Sequence, residues 1–228
     1  MILLRTWTKP DTPNTAYISI DNKVWGTLPV RVLLPFYGVP VEQEIDEDEK
    51  DRLRGIILDH ARDRLFDYLS KAEHSELSCR NLLKRKHLHP ELIDACIADA
   101  KAKKFLSNER FAEIYVRSLL ESGKSRRYII GKLRVQQIPA SIYAPILEEY
   151  YNRDESIERL TEEIVRMVVN YGDIPLAKKR EKVFSSLYRR GWEMDTIHMA
   201  WGIAGRWQDG DADGRDGHNG RNGLDGRL

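Results

Sequence analysis

One hydrophobic skeleton is written three times in this chain. Cys79, Leu83, Leu88, Ile93 and Ile97 recur fifty residues later as Ile129, Leu133, Ile138, Tyr143 and Leu147. They recur fifty-four residues further on as Val183, Leu187, Trp192, Ile197 and Trp201. All fifteen positions are apolar, with internal spacings of 4, 5, 5 and 4, in a chain only 41% hydrophobic. A spacing of 4 stays on one helical face and a spacing of 5 steps across a short turn, so each copy is a helix pair. Stretches at 3–4 spacing supply a leading third helix: Leu58, Ala61, Leu65 and Leu69; Phe111, Ile114, Tyr115, Val116 and Leu119; Ile157, Leu160, Ile164 and Val168. Units of this size cannot close a core alone and must stack. The expected fold is mainly α, an elongated tandem array of three three-helix modules at 51–104, 105–153 and 154–204.

The first fifty residues differ. Ala16–Ile20, the turn-favouring Asp21-Asn22-Lys23 and Val24-Trp25-Gly26 read as a small β-hairpin region, strand, turn and strand. Five prolines from Pro10 to Pro40 argue against a long helix there. The acidic run Glu42–Glu49 reads as the solvated approach to the first helix, where negative charge suits the helix dipole. Residues 205–228 read as a disordered tail rich in Gly and Asp. No stretch approaches the roughly 20 apolar residues a membrane span needs. The first seven residues lack the apolar core of a signal peptide, and two cysteines cannot supply a disulfide scaffold. A cytoplasmic monomer is expected.

Charge is segregated rather than abundant. The net charge is +1, made of −3 over residues 1–50, +5 over 51–204 and −1 over the tail, so a globally polybasic protein is excluded. Within each module the middle helix is basic and the last is acidic, the latter through Glu91, Asp94 and Asp99, then Glu148 and Glu149, then Glu193 and Asp195. One such run is ordinarily a solvated face. Threefold recurrence points to a basic stripe lying along an extended anionic partner, either nucleic acid or an acidic filament groove. The candidate contacts are Arg80, Lys84, Arg85, Arg126, Arg127, Lys132, Arg134, Lys178, Lys179, Arg180, Arg189 and Arg190, acting by electrostatic steering and docking.

Signatures of catalysis and metal binding are weak. The chain has no Walker A loop, GxGxxG or HExxH, and it is not expected to be an enzyme or to hold a cofactor. Cys79, His87, His89 and Cys96 match no zinc-finger spacing, and both thiols fall at apolar or small repeat positions, so no metal is expected. In the tail, Asp209, Asp211, Asp213 and Gly214 open like an EF-hand loop, but Gly220 stands where its bidentate Glu belongs. Glycine at every third tail position, without proline, is too short for a collagen helix. Tyr115, Tyr143, Trp192 and Trp201 are read as core rather than as base-stacking groups.

Several segments carry a family resemblance. Phe105–Ser118 (FLSNERFAEIYVRS) resembles the YLDDxRFAxxYVxxR segment of the RecX regulatory proteins, with Arg117 read as an ion-pair residue within its module. Glu73-His74-Ser75-Glu76 with Leu82–Lys86 is similar to their REHSxxEL…KLxxKG helix. Lys124–Arg127 with Lys132-Leu133 is similar to GxxRIxxxL, and Arg189–Trp192 to RRGF. Tyr17–Asp21 resembles their opening strand and turn, and the likeness spans about residues 15–204. His87 and Gln137 replace the usual glycine after the middle helix, which bears on the tightness of two turns. The resemblance implies a modulator or inhibitor of the RecA recombinase that binds the RecA–DNA filament within its helical groove. It further implies a place in DNA recombination, repair and the SOS response, with no active site and no cofactor. A helical-repeat protein binding nucleic acid directly, with no obligatory protein partner, is the other reading.

Overall fold

The computed structural model describes residues 2–213, with backbone alone from residue 207 onward. Strands β1 (Ile2–Lys9), β2 (Thr12–Ile20), β3 (Lys23–Pro29) and β4 (Val41–Ile45) form one antiparallel sheet in the order β3-β2-β1-β4. A single-turn helix α1 (Val30–Leu33) follows β3. Nine longer helices come after the sheet among the described residues. They are α2 (Glu47–Leu69), α3 (Glu76–Lys84), α4 (Pro90–Ala102), α5 (Asn108–Glu121), α6 (Arg126–Val135), α7 (Ala140–Tyr150), α8 (Arg153–Asn170), α9 (Leu176–Arg189) and α10 (Met194–Asp213). The chain forms two compact units. One comprises the described residues up to Tyr115 with Leu133–Tyr143, and the other Val116–Lys132 with the described residues from Ala144.

In the first unit the sheet buries Ile2 and Leu4 of β1 and Ala16, Ile18 and Ile20 of β2 in one core with α2, α3 and α4. These residues share one face of the sheet, and in β2 the intervening Tyr17 and Ser19 of the other face are buried as well. The β2–β3 turn has positive φ at both Asp21 (48°) and Asn22 (62°), as a two-residue hairpin turn matched to strand twist requires. Helix α2 is capped by Asp46, which accepts from the Glu49 N–H, while the Glu49 carboxylate accepts from the Asp46 N–H. Its stripe of Leu53, Ile57, Ala61 and Leu65 is buried. Gly26 allows β3 to approach this stripe, because a Cβ there would lie 2.9 Å from Ile57 Cγ2. In the second unit, Ile157, Leu160, Ile164 and Val168 of α8 pack with Val183 and Leu187 of α9 and Ile197, Ala200 and Ala204 of α10.

Fourteen of the fifteen repeat positions are buried, and the fifteenth, Trp201, is partly buried against the α8–α10 core. The turn after each middle helix uses the left-handed conformation at equivalent places: His87 (φ 55°), Gln137 (φ 56°) and Gly191 (φ 86°). Only glycine adopts this region without a penalty of about 1–2 kcal/mol. Gln137→Gly is therefore expected to raise stability by about 0.5–1 kcal/mol, and Gly191→Ala to lower it by a similar amount or more. Chemical denaturation measures both, and a loss of stability in Gln137→Gly would contradict the strain at that turn.

Several sequence expectations need correction. The N-terminal region is a four-stranded sheet rather than a lone hairpin. The acidic run is not simply an approach to a helix: Glu42 to Ile45 lie in β4, and the helix starts at Glu47. On α2 the buried face is rotated, leaving Leu58 and Leu69 only partly buried. On α5, Ala112 and Val116 are buried while Ile114 is 53% exposed. Helix α10 continues past residue 205 because Ala200 and Ala204 prolong its buried face. Residues 214–228, with all of the collagen-like spacing and the end of the calcium-loop pattern, lie outside the described residues.

Candidate partner interface

The twelve candidate cations separate by what they already touch. On α3, Arg80 is half-buried and spans two carboxylates, its Nε 2.8 Å from Glu76 Oε1 and its Nη1 2.6 Å from Asp94 Oδ1. The carboxylates of Asp94 and Glu76 hold this guanidinium further above its usual range. Burial pushes Glu76 upward, yet hydrogen bonds from Lys101 and Arg80 prevail and hold its carboxyl below the ordinary value. Arg126, at the start of α6, reaches Glu148 of α7 at 2.7 Å. Arg190 forks onto Glu163 of α8, at 2.5 and 3.2 Å. These three arginines therefore serve packing between helices, and they are the weakest candidates for an external partner.

The remaining nine are available. Among the described residues, Lys84, Arg85, Arg127, Arg134, Lys178 and Lys179 make no ion pair, and all but Lys179 are exposed. Lys132 lies over the Tyr128 ring at 5.3 Å and Arg180 over Phe184 at 5.0 Å, contacts that leave the charge uncompensated. Arg189 Nε donates to the carbonyl of Ser185, one turn earlier. The positions follow from helical spacing. Ile129 and Leu133 fix one face of α6 in the core, which turns Arg127 and Arg134 outward. Beside the start of α6, an open cleft of about 400 Å³ is lined by Arg126, Arg127 and Arg153 together with Glu148, Glu193 and Trp192.

The acidic last helices have a different role from the one their charge alone implies. Glu91 of α4 pairs with Arg54, Asp94 with Arg80, and Asp99 with Arg62 and Lys103. In the first group the acidic side is thus internal pairing, with α2 and α3 and at the end of α4 itself. Each such exposed pair contributes only about 0–1 kcal/mol.

Two equivalent joints link successive helix groups. Ser75, fully buried, caps α3 by accepting from the Ser78 N–H, and its hydroxyl lies 2.6 Å from Gln136 Oε1. Ser125 caps α6 by accepting from the Tyr128 N–H and donates to the carbonyl of Arg190 at 3.2 Å. In both cases the cap of one middle helix meets the turn that follows the next. A Cβ on Gly191 would sit 3.0 Å from Ser125 Oγ, a second reason for glycine there.

Other residues singled out in the sequence are accounted for by packing. Cys79 and Cys96 are buried free thiols, and burial pushes them up to about 12 and about 11, away from reactive thiolates. His89 stacks on Trp25 and His74 on Tyr68, with centroids 4.4 and 3.7 Å apart. No group of three or more His, Cys, Asp or Glu among the described residues is placed to hold a metal. No helix among them is long and apolar enough to cross a membrane. Tyr143 and Trp192 are buried, Tyr115 is partly buried, and the Arg117 guanidinium lies 5.6 Å from the Tyr150 ring centroid.

Among the described residues, nine longer helices follow an antiparallel sheet in the chain and carry a recurring apolar skeleton with exposed cations near it, the pattern of a mainly helical repeat protein. No family model matches the chain. Curated relatives do: the regulatory protein RecX of Syntrophotalea carbinolica is 30% identical over 127 residues, covering 54% of this chain and 82% of that protein. The chain belongs to the RecX family of regulatory proteins. Regulatory protein RecX of Caldanaerobacter subterraneus subsp. tengcongensis is 24% identical over 164 residues, 72% of this chain and 80% of the relative. The fold is similar to a crystal structure of regulatory protein RecX, with a TM-score of 0.60 at 19% identity over 88% of this chain and 98% of that one.

Proposed function

We propose that this protein regulates the RecA recombinase by docking on the RecA–DNA filament, and that it lowers RecA ATPase and strand-exchange activity by binding alone. In this reading each three-helix group is a module of the interface, and the protein acts as a monomer in the cytoplasm. The observation that carries the proposal is the recurrence, at three equivalent helices of a RecX-family chain, of cations that no carboxylate among the described residues pairs with. Lys84 and Arg85, Arg127 and Arg134, and Lys178 to Arg180 supply long-range attraction toward a filament rich in phosphate and carboxylate.

The test is RecA ATPase on single-stranded DNA, titrated with this protein. The expected result is progressive loss of turnover, with binding to RecA-coated DNA much tighter than to bare DNA at the same salt. Undiminished ATPase at saturating protein would overturn the proposal. Equal affinity for bare and coated DNA, falling steeply with salt, would favour direct nucleic-acid binding instead.

A further inference from the structure

The first unit contains a cleft outside the middle-helix faces just described. It is bounded by β3, α2 and α3, and its volume is about 220 Å³. Leu28, Ile57, Ala61, Leu83 and Leu88, all buried core residues, line its apolar part. Its rim is cationic. Arg64 and Lys86 line it, are exposed, and make no ion pair among the described residues. The one carboxylate in the lining, Asp67, is held by Lys71 at 2.8 Å. His60 also lines the cleft, and burial, then the charge of Arg64, lowers its pKa, with Lys86 adding to the effect and Asp63 opposing it.

We propose that this cleft is a docking site for an acidic peptide segment that carries a bulky apolar side chain. Its carboxylates would meet Arg64 and Lys86 while the apolar side chain fills the space over Ala61 and Leu83. Size favours a peptide side chain over a free small molecule, because ligand pockets generally enclose about 300–1,000 Å³. The chemistry favours peptide over nucleic acid. A phosphate backbone would find the cations but leave the aliphatic floor unfilled. Base stacking needs an open aromatic face; of the two rings in the lining, Tyr68 is already stacked on His74 at 3.7 Å and the His60 imidazole is half-buried. The Thr27 hydroxyl is committed to the Lys86 carbonyl at 3.0 Å, which holds the α3 end of the rim against β3.

The site is independent of the RecA reading, and so is its test. A fluorescein-labelled peptide alternating Asp with Leu and Phe is titrated with the full chain, and binding is read by fluorescence anisotropy. Saturable binding is expected, weakened roughly tenfold or more by Arg64→Glu with Lys86→Glu, both of which are exposed and not part of the buried core. Ala61→Leu, which fills the floor, is expected to abolish it, and a thermal melt checks that this variant folds. Unchanged affinity in the double variant would overturn the proposal. So would equal binding of a peptide with Asn in place of Asp, or a double variant that loses binding to oligo-dT but not to the peptide. A failure here leaves the RecA ATPase result standing, and the reverse also holds.

Discussion

Reversing Arg127 and Arg134 together to glutamate is expected to weaken binding to RecA-coated single-stranded DNA by at least roughly tenfold, chiefly through slower association and a flatter salt dependence. Both side chains are exposed on α6 and make no ion pair among the described residues, so their charge is directed at solvent. Arg126 provides the internal contrast. It already holds Glu148 at 2.7 Å, so Arg126→Glu removes less outward charge and instead sets two carboxylates against each other. The core face of α6, Ile129 and Leu133, is untouched in either variant, and helix content by circular dichroism is expected to stay constant. A double variant that inhibits RecA as fully as the parent would exclude this helix as a contact.

The second large effect concerns the skeleton itself. Leu83, Leu133 and Leu187 occupy the same repeat position and are 2%, 0% and 0% exposed. Truncating each to alanine is expected to cost about 2–5 kcal/mol, the lost transfer energy plus the cavity left behind. The three should not act on the same part of the molecule. Leu83 and Leu133 belong to the first compact unit and Leu187 to the second. If the units unfold separately in denaturant, the first two substitutions shift one transition and the third shifts the other. A cost below about 1 kcal/mol at any of the three would mean that the position is not part of a packed interior.

The repeat was legible because a helix pair needs apolar residues at fixed separations, whatever occupies the intervening positions. The sheet was half legible. The β2–β3 hairpin announces itself through Asp21-Asn22, whereas β4 hides behind its outward-facing glutamates and β1 behind a mixed alternation. One inward residue of β1, Thr6, is polar: its hydroxyl donates to the Gly38 carbonyl and accepts from the Val41 N–H. No count of apolar residues finds such a contact. The candidate cations were legible as a set but not individually. Arg126 and Arg190 are neutralised by carboxylates 22 and 27 residues away, and Arg80 adds Asp94, 14 residues away, to its local partner Glu76; the long separations close only when helices pack. The turns at His87 and Gln137 keep the left-handed geometry without the glycine that would signal it, since the flanking helices over-determine their path. The peptide cleft draws on β3, α2 and α3 at once, and no local pattern joins them.

The serine joints give the chain a direction of dependence. Ser75 leans on Gln136 and Ser125 on Arg190, so each capping hydroxyl relies on a segment made later in synthesis. Loss of the last helix group would unsettle the group before it by stripping the partner from Ser125, while the final group rests on no successor of this kind, Lys179 standing where the serine would be. A loss at one of these turns is therefore felt at the cap of the middle helix before it.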